Sequence, residues 1–240
     1  MTNVIKKSEV VAQAIVRDVV QRGLHPGDRL AAESEMMTEY QVGRPSLREA
    51  LRVLEVNGLV SRKPGPGGGP VVEGVSPAVL GRMLTLHLHV AGATYRELVA
   101  ARLAVEPACA ALAATFASDV ERGTLAAMGS RAHGLDLDDD EVYRAMSRGF
   151  HGAVATMSHN RVLELLAHAL MEIFDAHIAR ATRDAAVRAI APHEHDDVIA
   201  AIVAGDAVEA EDRMRGHMEH FAEVFAAALP EMLDQTVRWE

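Results

Sequence analysis

The sequence predicts a mainly α-helical protein in two parts: three helices and a β-hairpin over residues 1–75, then an all-α antiparallel bundle of about seven helices over 76–240. Three observations predict it. Apolar residues recur at helical spacing along nearly the whole chain. One Gly/Pro-rich tip, Pro64-Gly65-Pro66-Gly67-Gly68-Gly69, separates two short apolar runs, and strand signals stop after Gly74-Val75-Ser76-Pro77. Beyond that boundary the capping signature of Ser, Thr or Asp followed three residues later by Glu returns repeatedly.

Composition bounds the function. A chain of 240 residues is long enough for two cores. Hydrophobic residues make up 49 % and aromatics only 4 %, which favours closely packed Ala/Leu/Val helices. Cys109 is the single cysteine, so no intrachain disulfide framework exists; it reads as a small core residue in a reducing compartment. The start, Met1 to Lys7, lacks an apolar signal core, and no apolar run approaches membrane-spanning length, so a cytoplasmic protein with no membrane role is expected. The net charge is −10, unevenly placed: residues 1–74 hold ten Lys+Arg against nine Asp+Glu, the rest fourteen against twenty-five. An acidic body repels nucleic acid, so any DNA contact must be local and made by two copies of the first part.

In chain order, Ser8 to about Arg22 is a helix with Val11, Ile15 and Val19 on one stripe, ended by Gly23 and the turn His25-Pro26-Gly27-Asp28. A short helix runs from Glu33 to about Tyr40 and offers Met36, Met37 and Tyr40 to the same core. After Gln41-Val42-Gly43 comes a third helix, Arg44 to Gly58. Leu47, Leu51 and Leu54 share its buried face; Arg44, Arg48 and Arg52 share another. Pro45 is tolerated in a first turn. Either Gly43 is the N-cap, or Ser46 with Glu49 forms a capping box one turn later. Gly58 suits the C′ position. Leu59 to Lys63 and Pro70 to Glu73 are the hairpin strands. Helix, turn, helix and wing in this order lay the third helix in a DNA major groove. The arginine fork matches guanine O6 and N7 or a phosphate, so Arg44 and Arg48 are expected at bases or backbone, with Ser46 and Arg52 beside them. Arg62 and Lys63 are placed for phosphate, and Gly68 for close backbone approach at the tip.

These residues resemble a known family. Leu30-Ala31-Ala32-Glu33-Ser34-Glu35, Val42 through Leu54, Gly58-Leu59-Val60 and Gly67-Gly68-Gly69-Pro70-Val71-Val72 resemble, without gaps over about sixty residues, the winged helix-turn-helix of GntR-family transcriptional regulators. Ser34 stands where that family usually has arginine, and Gly43 where it has serine or threonine.

The bundle helices are expected near 77–90, 94–117, 119–133, 139–157, 160–181, 184–204 and 207–228, with short connections between antiparallel neighbours. Thr94 with Glu97, Ser118 with Glu121, Asp206 with Glu209 and Asp138 with Glu141 have capping-box spacing. Eleven of twelve histidines follow residue 86. His195 and His217 lie eleven residues either side of Asp206, at the turn of the last helical hairpin, so they sit at one height and can face each other. Converging imidazoles hold zinc or another transition metal, and His151 is a plausible third. His220 shares the face of His217, and His168 can oppose His151. His193 diverges from His195, as His87 does from His89. Arg102 lies in an otherwise apolar helix and needs an anion: a bound carboxylate, Glu106 at i+4, or an acid on a neighbouring helix.

Arg102-Leu103-Ala104-Val105-Glu106, Phe150-His151 followed by Asn160, Glu194-His195 with Ala201-Ile202 and Gly205-Asp206, and Met214-Arg215-Gly216-His217 resemble the FCD ligand-binding domain of the FadR subfamily of those regulators, over about residues 95–220. The resemblance implies a divalent metal, zinc first, held by an aspartate and three histidines and helping to bind a small carboxylate effector. The carried-over histidines are His151, His195 and His217, and the effector set is Arg102, Ser147 and Asn160. Ser147 replaces the aspartate; three imidazoles with a water still suffice for zinc. The expectation is a non-enzymatic, ligand-responsive repressor acting as a homodimer on a pseudo-palindromic double-stranded DNA operator. Its rivals are a regulator with metal itself as effector, and a metal-dependent hydrolytic enzyme. Against the enzyme, no carboxylate near the histidines is an evident general base, and an enzyme needs no wing.

Overall fold

Why the third helix starts and stops where it does is visible in its ends. In the computed structural model, which describes residues 6–63, 68–74, 76–177 and 185–239, this helix, α3, spans Arg44–Val56, after α1 (Lys7–Gln21) and α2 (Glu33–Glu39). Gly43 is its N-cap, and Pro45 sits in the first turn; the alternative start at Ser46 is not the one adopted. At the other end Gly58 takes φ 70°, and Leu59 N–H donates to the Leu54 carbonyl (2.9 Å) while Gly58 N–H donates to that of Glu55 (2.9 Å). That pair of bonds is a Schellman closure. Gln41, with φ 51°, ends α2 in the same way through Val42 N–H to Met37 O (3.0 Å), and this makes the tight turn into α3.

Leu47, Ala50, Leu51 and Leu54 of α3 are buried against Val11 and Ile15 of α1 and Met36 of α2, with Val42 filling the turn. Tyr40 donates to Asp18 (2.6 Å), and Arg22 pairs with Glu39, so polar contacts also tie α1 to α2. The wing is an antiparallel pair, β1 (Val60–Lys63) and β2 (Gly69–Val72), with Val60 opposite Val72 and Lys63 opposite Gly69. Arg29 bridges to Val71, adding a third chain segment to its edge. Residues 64–67, most of the expected tip, lie outside the described residues.

The remaining elements are helices: α4 (Pro77–Ala91), α5 (Tyr95–Phe116), α6 (Asp119–Ala132), α7 (Asp140–Met157), α8 (Arg161–His177), α9 (Ala185–Ala204), α10 (Ala207–Ala228) and the short α11 (Pro230–Leu233). The expected end of α8 at 181 and start of α9 at 184 fall outside the described residues. The chain divides into two compact units, Met1–Leu80 and Gly81–Glu240, so the division falls inside α4, a few residues beyond the expected 75/76 boundary.

Thr94 and Ser118 form full capping boxes with Glu97 and Glu121, and Asp206 accepts from Glu209 N–H (3.0 Å). The cap of α7 is Asp139, not Asp138: Asp139 accepts from Glu141 and Val142 N–H, which shifts the expected start by one residue. Helix α5 is central and packs against α7, α8, α9 and α10. Contrary to the expectation that no apolar run is long enough, its 22 residues would span a membrane by length and composition. Half of that stretch is buried inside the bundle, and it carries the buried pair Arg102–Glu106, the pattern of a core helix. The tail also has structure that periodicity did not reveal. Val237 is fully buried, its N–H donates to Ala93 O (2.8 Å), and Thr236 bridges to Thr94.

Candidate functional site

In the first unit, Arg44, Arg48 and Arg52 are all exposed on the side of α3 away from its leucines, and Ser46 is half-buried among them. On the wing, Lys63 and Gly68 are exposed. Arg62 is different. Its Nε lies 2.7 Å from Glu55 Oε1, and its Nη2 is 3.2 Å from Oε2, so the guanidinium is clamped across to α3. Its charge is largely neutralised there, and among these two wing cations Lys63 is the one left exposed.

In the second unit the three expected histidines converge. His151 comes from α7, His195 from α9 and His217 from α10; all three are buried, and their ligand nitrogens lie within 4.8 Å of one another. Phe150 stacks on His195 with ring centroids 3.8 Å apart and fixes that imidazole's plane. Each of the other two rings is oriented by a carboxylate. His217 Nδ1 is 2.7 Å from Glu194 Oε2, and His151 Nδ1 is 2.5 Å from Glu106 Oε2. With a proton on the Nδ1 of each ring, on its carboxylate side, both Nε2 lone pairs face inward, 3.3 Å apart. Two lone pairs facing each other repel unless a cation lies between them. The spacing matches the roughly 3.4 Å ligand–ligand edge of a tetrahedral zinc site. His195 Nε2 is buried and has no hydrogen-bond partner among the described residues. The residues present therefore fit a divalent metal.

The electrostatics suit the same purpose. Burial pushes the His151 imidazole below its ordinary range against the opposing pull of Glu106, and burial with the two neighbouring imidazoles pushes His195 further down. Both rings are neutral at pH 7, the state a metal requires. Burial alone would raise the Glu106 carboxyl, but Arg102 and then His151 hold it well below the usual carboxylate range. Glu194 is likewise lowered: its burial is outweighed by His217 and His220.

Arg102 resolves part of its ambiguity. Its Nε donates to Glu106 Oε1 at 2.6 Å, and the guanidinium lies 4.3 Å over the Phe174 ring. It also lines the cavity in front of the histidines, together with Tyr143, Arg144 and Ser147. That cavity is small, about 30 Å³, enough for a water-sized body. A much larger open groove, about 1020 Å³, runs along the other side of α7 past Arg148, Gly152 and His168 and includes none of the three histidines.

Asn160 is not part of the site. It is exposed, and its Oδ1 accepts from Val162 and Leu163 N–H (3.1 and 3.2 Å), so it caps α8. Two carboxylates do lie beside the histidines, Glu106 and Glu194, both on the Nδ1 side, where they orient rings and do not take the place of a general base facing the cavity. Among the other histidines, His220 joins through Glu194 Oε1 (2.5 Å), His168 lies against Gly152, and His193 faces outward beside His133. Glu194 and Phe150 were missed as contributors. The dipeptides Glu194-His195 and Phe150-His151 were the available signals.

Known proteins share this architecture. Residues 7–68 match the bacterial regulatory proteins of the gntR family, and residues 97–220 match the FCD domain. The chain is 28 % identical over 224 residues to the HTH-type transcriptional repressor NanR of Escherichia coli K12, covering 89 % of this chain and 82 % of that one. NanR of Escherichia coli O1:K1 is 29 % identical over 196 residues, covering 80 % and 71 %. A solved structure of Streptococcus agalactiae GntR has the same fold, with TM-score 0.74, 23 % identity, and coverage of 90 % of this chain and 99 % of that one. A helix-turn-helix head followed by a histidine-bearing FCD bundle places the chain in the GntR family of bacterial transcriptional regulators, with an FCD domain as its effector-binding half.

Proposed function

We propose that this regulator is a cytoplasmic repressor of the FadR subfamily, that it binds a pseudo-palindromic operator as a homodimer, and that a small carboxylate acting with a divalent metal, zinc first, releases it. The observation that carries the effector half is the convergence of His151, His195 and His217 on one buried point beside Arg102. The three Nε2 atoms would hold the metal, which when bound supplies positive charge and Lewis acidity for a carboxylate oxygen. Glu106 and Glu194 keep the rings aimed, and Phe150 holds His195 in plane. Arg102 offers a second cationic contact to the same carboxylate, and Ser147 a neutral hydroxyl where an acid would compete with the ligand's charge. The repressor reading is supported by the likeness to NanR, a transcriptional repressor.

On the DNA, Arg44 and Arg48 are the expected base or phosphate contacts, with Ser46, Arg52, Lys63 and Gly68 flanking them. Effector binding then works as a population shift, favouring the arrangement of the dimer that cannot hold both half-sites. One observation favours a second reading, metal as the effector: the cavity as it stands admits an ion and water, but a carboxylate only after side chains move.

The test is metal content of the untagged protein beside its His195→Ala variant, followed by operator binding with and without zinc. Stoichiometric metal lost in the variant, with operator affinity unchanged until a carboxylate is added, supports the main reading. Operator affinity that follows zinc alone supports the second. Equal metal content in parent and variant sinks both.

A further inference from the structure

We propose a second divalent-metal site on the outside of the bundle, formed by His133, His193 and Asp196. It is separate from the buried histidines and does not depend on them. His133 is the C-cap of α6, while His193 and Asp196 stand three apart on α9 and therefore share a face. His133 Nε2 lies 2.5 Å from Asp196 Oδ2, the rings of His133 and His193 are 5.0 Å apart, and one donor atom from each of the three falls within 4.8 Å of the others. The alternation along α9 turns His193 outward and His195 inward, so this single helix serves both places.

The backbone is shaped to allow the cluster. Gly129, one turn before His133 on α6, faces Asp196. A Cβ there would lie 2.9 Å from Asp196 Oδ1 and 2.7 Å from Ile199 Cδ1. Glycine there leaves the Asp196 carboxylate and the Ile199 side chain room in their present positions, whereas a larger residue would push those two side-chain ends aside. A simple ion pair explains His133 and Asp196, but it gives no role to His193, whose ring closes the third side.

Two imidazoles and one carboxylate form a borderline nitrogen/oxygen donor set. That set suits zinc, cobalt, nickel or copper; calcium and magnesium prefer oxygen alone. The side chains of His133 and Asp196 are 39 % and 42 % exposed, so rotation of one ring opens their contact to the tetrahedral edge of about 3.4 Å, and water completes the shell. A bound ion would clip the end of α6 to α9.

Equilibrium dialysis of the full chain against zinc, with metal counted by mass spectrometry, tests this. His193→Ala and Asp196→Asn should each bind one equivalent fewer than the parent, or bind it at least about tenfold more weakly. His195→Ala should lose a different equivalent, so His193→Ala combined with His195→Ala loses both. His193 is exposed, and its variant should keep the parent's far-ultraviolet circular dichroism. If the buried histidines hold no metal, the difference between parent and His193→Ala still stands, which separates this site from the other. Equal stoichiometry and affinity in parent, His193→Ala and Asp196→Asn overturns the proposal.

Discussion

His217 Nε2 lies 3.3 Å from His151 Nε2, and the second nitrogen of each ring faces a carboxylate, Glu194 for His217 and Glu106 for His151. Proton placement at the far side of each ring therefore decides what the near side can bind. Removing one carboxylate should loosen the ring and free its tautomer. Glu194 is the cleaner target, because Glu106 also neutralises buried Arg102. Glu194→Gln is expected to weaken zinc by roughly 10- to 100-fold with little change in fold. Competition with a chromophoric chelator measures this; an unchanged constant would mean that the carboxylates are bystanders.

On α3 the three arginines are exposed, while Arg62 of the wing is clamped to Glu55. The operator should feel these differently. Arg48→Ala is expected to cost about 1–3 kcal/mol at a cognate site if it reads a base, and to lower the salt slope by about one if it neutralises a phosphate. Arg62→Ala should cost less, since its charge is already paired. Fluorescence anisotropy on a labelled operator at several salt concentrations gives both numbers. An Arg62→Ala loss equal to that of Arg48→Ala would show that the Glu55 clamp opens on DNA.

Gly58 meets two constraints together: φ 70°, and Val79 Cγ2 only 2.7 Å from where a Cβ would stand. The left-handed backbone costs an alanine about 1–2 kcal/mol, and the clash adds about 1–3 kcal/mol. Urea unfolding of Gly58→Ala should show a loss of that combined order. Gly123, whose Cβ would meet nothing, is the control, and Gly123→Ala should be neutral or slightly stabilising.

Much of this was legible in advance, and the reasons are local. Leu47, Leu51 and Leu54 repeat at helical spacing, and one buried face follows directly. Thr94 and Ser118 carry their glutamates three residues on, and a cap depends on little else. The histidine pair was legible because a hairpin turn at Gly205-Asp206 makes equal sequence distances equal heights. What escaped depends on partners far away in sequence. Glu106 was weighed only against Arg102, because nothing local says that His151 on α7 will swing onto it. Asn160 sits beside a motif, yet its side chain turns back to cap α8. Arg62 looked free because Glu55 lies on another element. The tail at Val237 has no periodicity, only a docking partner at Ala93.

Cys109 closes the same logic from the core. It sits on α5 in the main core cluster of the bundle, and burial, reinforced by the nearby Glu106 charge, pushes its thiol up to about 12 from 9.0. A thiol held neutral is a poor nucleophile, so native protein at pH 8 should react with a thiol reagent only through unfolding. The sign of the pH effect follows. The folded state keeps its proton where the unfolded chain has lost it, so this contribution is fully present below about pH 9 and drains away as pH rises towards 12. Cys109→Ser should remove that alkaline component while placing a hydroxyl in an apolar site, so its stability should be lower at pH 7 and its slope above pH 9 shallower. Labelling kinetics in native buffer and in urea, with unfolding midpoints at pH 7 and pH 10, check both. Fast labelling of the native protein would mean that α5 opens far more often than a core helix should.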